Sequence, residues 1–237
     1  MSYHFYTGEV LLIDKPLGWT SFQAVNKIKH GIKNHPSFIH EGAKVKPKIG
    51  HAGTLDPLAT GLLIICTGKK TKEIDSFMGL TKEYTGTFFI GATTPCYDLE
   101  KEIDHVYPTE HITNELIFNS AKSFIGAQEQ VPPIFSAIQI NGKRAYTLAR
   151  AGEEVELKAR PIEISEFEIT NIHMPVVSFR IVCSKGTYIR SIARDLGLTL
   201  NSGAHLTSLR RTKIGDFDVK DAVSPEKFVE QFKNIPL

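Results

Sequence analysis

An α+β protein, a mixed and mainly antiparallel sheet with helices packed on it, is what the sequence predicts, from three observations. Apolar runs of strand character outnumber stretches of helical spacing. Several runs are joined by connections too short for the crossover a parallel pair needs. The helical stretches are amphipathic, with one face to lay on a sheet. With 237 residues, 41% of them hydrophobic, the chain can build a sizeable core without staples.

Glu9-Val10-Leu11-Leu12-Ile13 is β-prone and ends at Asp14-Lys15-Pro16-Leu17-Gly18, where proline and glycine signal a turn. Thr20 with Gln23 has the spacing of a capping box, and Phe22, Val25, Ile28 and Ile32 keep helical spacing to about Lys33. Asn34 to Lys48 lacks periodicity and is expected to be a mobile basic loop. His30, His35 and His40 recur every five residues, ~140° apart on a helix, so they share no metal-facing stripe; His35 and His40 are expected in solvent. Leu62 to Cys66 reads as a buried strand, and Lys70 to Met78 as a short helix with Ile74 and Phe77 inward. Lys82 to Ile90 alternates, with Tyr84, Gly86, Phe88 and Ile90 on one face.

Thr93 to Tyr107 reads as polar connection, and Thr109 to Phe124 as an amphipathic helix. The run Ile134 to Ile140 meets Asn141-Gly142 and continues through Lys143-Arg144, a hairpin with a type I′ turn. A short helix over Ala145 to Ala151 would stop at Gly152. Val155-Leu157, Ile162-Ile169 and Val176-Cys183 are β-prone, Thr187 to Leu198 is helical with Ile189, Ile192, Ala193 and Leu196 inward, and Leu206 to Ile214 is strand-like. Ser224-Pro225-Glu226 opens a last helix to about Phe232.

One stretch resists a purely structural account: Gly50-His51-Ala52-Gly53-Thr54-Leu55-Asp56-Pro57-Leu58-Ala59-Thr60-Gly61-Leu62-Leu63. Three glycines and an Asp-Pro pair shape a loop around a single acid. Its plain reading is a capped helical turn, with Asp56 as N-cap, Pro57 at the first helical position and Gly61 closing it.

Composition narrows the chemistry. Cys66, Cys96 and Cys183 are far apart with no C-x-x-C pair, so neither a zinc knuckle nor a disulfide framework is indicated, and a reducing compartment fits. No signal-peptide pattern and no run of ~20 apolar residues is present, so a soluble, cytoplasmic protein is expected. Residues 1 to 72 hold 10 Lys+Arg against 4 Asp+Glu, whereas the remainder holds 18 against 22. The basic third contains the Asp56 loop, as a polyanion-binding face would. Gly68-Lys69-Lys70-Thr71 resembles the tail of a P-loop but lacks the glycine at Leu63 and the Ser or Thr at Lys70. No dinucleotide fingerprint, hydrolase elbow or H-E-x-x-H is present, so no nucleotide cofactor and no metal are expected.

Gly50 to Gly61 closely resembles the signature of the TruB family of tRNA pseudouridine synthases. The resemblance continues through Leu12-Ile13-Asp14-Lys15-Pro16-Leu17-Gly18, Lys82-Glu83-Tyr84, Cys183-Ser184-Lys185-Gly186-Thr187-Tyr188-Ile189-Arg190, and Gly203-Ala204-His205-Leu206 with Leu209-Arg210-Arg211, in family order over residues 9 to 214. It implies the pseudouridine synthase catalytic fold over 1–215 and an RNA-gripping insert over 128–152; the chain departs from many relatives in carrying a short helical extension over 216–237 in place of a PUA domain. It also implies the reaction: the T-loop uridine of tRNA is flipped out, its glycosidic bond broken, and the base rejoined through carbon, without cofactor.

By resemblance, Asp56 is the nucleophile or covalent catalyst, Tyr84 stacks on the base and can accept a proton, and Arg190 is the counter-charge to Asp56. Tyr188 and Leu209 line the base pocket, His51 fills the space the flipped base leaves, and Lys15 and Pro16 support the loop's floor. Lys44, Lys46, Lys48, Lys69, Lys70, Lys72, Lys143, Arg144, Arg150, Arg210 and Arg211 are candidates for phosphate contacts. The partner is the T arm of tRNA, with no membrane and no obligatory protein partner, and a monomer is expected. The competing reading is a non-catalytic tRNA-binding or folding module, against which the intact set Asp56, Tyr84 and Arg190 argues. A guide-dependent synthase of the dyskerin type is disfavoured by the short tail.

Overall fold

The computed structural model describes residues 3–40, 43–136, 139–140, 143–144 and 157–232. They form two compact units, residues 1–84 with 210–237 and residues 85–209.

The first unit begins with β1 (Val10–Lys15) and α1 (Ser21–Ile32), whose Thr20 and Gln23 make the expected capping box. Ala24, Val25, Ile28 and Ile32 of α1 are buried, whereas Phe22 is 68% exposed, one flank outside the core-facing stripe. The segment after α1 is not the irregular loop expected. It makes a 3-10 turn at Pro36–Phe38, a small hairpin of β2 (Ile39–His40) and β3 (Ala43–Lys44), then β4 (Ile49–Ala52). Phe38 organises it by entering the core beside Phe5, and His35, expected in solvent, is half-buried between the Phe5 and Phe232 rings.

β5 (Ala59–Thr67) pairs antiparallel with both β1 and β4. A 3-10 segment (Gly68–Glu73) and α2 (Ile74–Gly79) follow, and Ile74 and Phe77 pack as expected on the core around Leu62 and Ile64. Next to β5 lies the end of β14 (Ala204–Ile214), which pairs with β15 (Phe217–Asp218) and lies beside β6 (Lys82–Ile90). The last helix, α5 (Pro225–Glu230), is capped by Ser224 and lays Phe228 into the aromatic cluster with Tyr3 and Phe5.

In the second unit the strand order is β14, β6, β13 (Val176–Cys183), β12 (Arg160–His173), β9 (Gly126–Gln130). Every ladder whose register is described is antiparallel. β9 was not expected: Gly-Ala-Gln-Glu-Gln has no apolar alternation, and its place comes from backbone pairing with β12. Phe88 stacks on Phe179 at 4.1 Å, and α3 (Asn114–Ser123) and α4 (Ile189–Thr199) supply buried Ile117, Ala121, Ile192 and Leu196. α3 is capped at Thr113, later than expected. Thr93 to Tyr107 contributes one strand of a small pair, β7 (Ala92–Thr93) with β8 (His105–Val106).

β10 (Gln139–Ile140) and β11 (Lys143–Arg144) pair with a two-residue connection, as the hairpin reading requires. The turn at 141–142, the helix expected over 145–151, Arg150 and the start of the 155–157 run lie outside the described residues. Among the described residues no helix is long and apolar enough to cross a membrane, and Cys66, Cys96 and Cys183 are buried thiols outside any disulfide.

Candidate active site

The Asp56 loop is the connection of the β4–β5 hairpin. The chain leaves β4 at Ala52, bends through Gly53 at φ +93°, and turns at Pro57–Leu58, where the Ala59 N–H donates to the Asp56 carbonyl at 3.1 Å. The helical turn suggested by Asp-Pro does not form, because β5 captures the chain from Ala59 onward. Gly61, at φ +103°, passes so close to Arg211 that a Cβ would sit 2.3 Å from the Arg211 carbonyl oxygen. Only glycine fits there.

Three anchors hold the residues around Asp56. The Gly18 N–H donates to the Pro57 carbonyl at 2.8 Å. The buried Ser21 hydroxyl accepts from the Leu55 N–H at 2.8 Å and donates to the Leu55 carbonyl at 3.1 Å. Arg211 donates from Nη2 to the Gly53 carbonyl at 3.0 Å and from Nε to the Leu62 carbonyl at 2.8 Å. Asp56 itself is half-buried. Its backbone is therefore located from both sides by groups that are themselves packed.

The charge beneath the loop is positive. Lys15 is fully buried, with Nζ donating to the Trp19 carbonyl at 2.6 Å and the Pro16 carbonyl at 3.1 Å. Burial lowers its pKa to about 8, Asp56 attraction opposes that fall, and Arg211 repulsion adds to it. His51 has its pKa lowered first by burial and then by Arg211, and its Nδ1 is buried with no hydrogen-bond partner among the described residues. Neutral imidazole is the form this surrounding favours.

Two arginines behave differently from the phosphate contacts expected of them. Arg211 is 1% exposed and spends its donors on loop and strand carbonyls, so it lies under the Asp56 loop rather than on an RNA-facing surface. Arg210 is partly exposed and grips Asp14 with both ends of its fork, at 3.0 and 2.8 Å. Tyr84, also in this unit, is 9% exposed on the inward face of β6. Lys46 and Lys48 are exposed near the surface end of β4.

The second unit holds Tyr188, Arg190 and Leu209. Tyr188 precedes α4, and the Gln130 side chain clamps its backbone, accepting from its N–H at 2.8 Å and donating to its carbonyl at 3.1 Å. Arg190 is 5% exposed; it donates to the carbonyls of Phe135 at 3.0 Å and Cys96 at 3.3 Å, and its Nε lies 3.6 Å from the Asp98 carboxylate. Leu209 is half-buried on β14. Sequence reasoning missed Ser21, Asp98 and Gln130. Ser21 had a signal in the adjoining capping box, whereas Asp98 lay in a segment without periodicity and Gln130 on a strand without apolar residues. Among the described residues no cluster of His, Cys, Asp and Glu has the makings of a metal site.

Solved structures with this architecture define a class. The chain superposes on a chain of a Cbf5–Nop10–Gar1 complex with a TM-score of 0.71 and 27% identity, over 96% of this chain and 55% of that one. It superposes on an H/ACA RNP bound to a substrate RNA containing 2′-deoxyuridine with a TM-score of 0.67 and 25% identity, over 96% and 54%. The chain thus spans about half the length of these solved chains, and its fold is that of the pseudouridine synthases.

The chain belongs to the TruB family of pseudouridylate synthases: residues 41–189 match that family's N-terminal domain, and residues 190–234 match the tRNA pseudouridylate synthase B C-terminal domain. It is 60% identical over 229 residues to the tRNA pseudouridine synthase B of Flavobacterium johnsoniae, covering 97% of this chain and 98% of that protein. It is 58% identical to that of Phocaeicola vulgatus, covering 96% and 94%. The chain is an enzyme, a tRNA pseudouridine synthase that isomerises uridine in tRNA.

Proposed function

We propose that the enzyme acts on the T-loop uridine and that Asp56 is its covalent catalyst. The observation that carries the reading is the fixing of Asp56: its neighbours Leu55, Pro57 and Gly53 are each held by hydrogen bonds from other elements, and buried Lys15 supplies positive charge nearby. Isomerisation moves one bond from nitrogen to carbon and needs no redox partner or activated phosphate. A carboxylate held in place can attack the sugar or the base, be displaced as the new bond forms, and return unchanged.

Extracting the uridine costs a few kcal/mol, which contacts to the rest of the arm offset. In this reading Tyr84 stacks on the extracted base and takes part in proton transfer, and His51, neutral and with an unsatisfied buried nitrogen, occupies the space the base vacates. Arg190, Tyr188 and Leu209 carry the charge and pocket roles that their motif implies, with Lys143 and Arg144 on the arm-gripping hairpin. The enzyme works without cofactor, in the cytoplasm.

The test is Asp56→Asn assayed on unmodified tRNA, with pseudouridine mapped to single positions. Turnover at the T-loop uridine should vanish while tRNA binding persists. Retained turnover, or conversion at another position by the unaltered enzyme, would overturn the reading.

A further inference from the structure

Beside the Asp56 loop the surface carries two apolar side chains that the core does not use. Leu17 is 64% exposed and Phe22 is 68% exposed, and Phe22 has no ring contact among the described residues. Both belong to the segment that anchors the loop. Gly18, next to Leu17, donates to the Pro57 carbonyl, and Ser21, next to Phe22, exchanges two hydrogen bonds with Leu55. The ring is therefore carried on a backbone fixed relative to Asp56.

α1 extends this patch with charge. Phe22, Asn26, Lys29 and Lys33 recur at i, i+4, i+7 and i+11, one stripe of the helix. Phe22, Lys29 and Lys33 are exposed, and α1 contains no acidic residue. At 1.5 Å rise per residue, Lys29 and Lys33 lie ~10 and ~16 Å along the axis from Phe22, the reach of several nucleotides of one strand. A ring at one end and ammonium groups beyond it is the arrangement that binds unpaired RNA, with bases on the ring and phosphates on the charges.

We propose that Leu17 and Phe22 form a stacking platform for a base of the tRNA other than the target uridine, with the flanking strand running along Lys29 and Lys33. The proposal rests on Asp56 marking the target position. RNA is favoured over a protein partner by the charge of the stripe and its continuity with the loop of an enzyme whose substrate is RNA.

Steady-state kinetics on unmodified tRNA test it. Phe22→Ala should raise KM about five- to 160-fold, the range found for losing one base–aromatic stack, with kcat at saturating tRNA retained. Phe22→Tyr should restore KM. Replacing Lys29 and Lys33 together by Gln should make the salt dependence of log KM shallower by ~1.4–1.8. Because Phe22 is exposed, thermal unfolding should not change. A KM unchanged in Phe22→Ala overturns the platform, and would be the result if the patch binds a protein instead. Turnover retained by Asp56→Asn overturns the placement of the active site, and the proposal with it. The two failures are therefore distinguishable.

Discussion

Arg211→Met is the perturbation that most directly probes how the loop is held. The guanidinium donates to the carbonyls of Gly53 and Leu62, and both acceptors lose their donor when an apolar side chain of similar length replaces it. Each buried carbonyl left unsatisfied costs ~1–3 kcal/mol, about 2–6 kcal/mol together. At ~2–4 °C per kcal/mol for a chain of this size, Tm should fall by roughly 5–20 °C. The same variant removes a positive charge that lowers the His51 pKa, so the His51 titration, followed by NMR and assigned by its loss in His51→Gln, should move upward.

The sign of the pH dependence follows. A histidine whose pKa falls on folding binds fewer protons folded than unfolded, so its burial weakens the fold as pH drops through 6.5, and Arg211→Met should flatten that part of the stability profile. Arg211→Lys keeps the charge but not the rigid fork, so it should lose stability while leaving His51 nearly where it was. If Arg211→Met melts within ~2 °C of the unaltered enzyme and His51 titrates unchanged, the buried guanidinium is not what positions the loop.

Lys15 and Asp98 give further outcomes. With a folded pKa of about 8 against 10.5 unfolded, Lys15 holds fewer protons folded than unfolded between those values. Stability should therefore gain ~1.4 kcal/mol per pH unit from this one group across that interval. Urea unfolding at pH 8 to 10 should show a slope that Lys15→Met removes, and turnover should decline above pH 8 as positive charge near Asp56 is lost. Asp98→Ala removes the carboxylate 3.6 Å from the buried Arg190 Nε, so the protein should lose stability, measurable by thermal unfolding. Asp98→Asn, which keeps an acceptor, should cost less.

Features legible from the sequence depend on residues close together in the chain. The capping box at Thr20 and Gln23 spans three residues and could be read directly, as could the alternation of Lys82 to Ile90 and the burial of Ile189, Ile192, Ala193 and Leu196. The Asp56 loop stood out because its glycines, Asp56 and Pro57 are close together in the chain. Periodicity erred where one position sits at the edge of a stripe: Phe22 keeps helical spacing with Val25 and Ile28, yet its own angle on the helix carries it out of the core. It failed for β9, where backbone pairing to β12 makes a strand without help from side chains. It also failed for Asn34 to Lys48, where Phe38, buried beside Phe5, anchors a stretch without apolar periodicity.

Support of the loop was the least legible feature, for a physical reason. A loop that keeps an acid partly exposed cannot close over itself with apolar side chains without covering the acid, so the groups that fix it come from elsewhere in the chain. Ser21 reaches Leu55 across 34 positions, and Arg211 reaches Gly53 across 158. Neither pairing has a local pattern: a serine after a helix cap and an arginine in a strand are each unremarkable where they stand. The arginine in particular suggests a surface contact with RNA, since Arg is seldom fully buried unless its donors are matched. In this fold they are matched by carbonyls, which have no side-chain identity and leave no trace in sequence. The same reasoning explains Gly61, whose missing side chain makes room for the Arg211 backbone and whose position is dictated by a residue 150 places away. A rigid carboxylate therefore depends on long-range contacts to main-chain atoms, and variants of Arg211 and Ser21 should impair turnover through the loop while leaving Asp56 chemically intact.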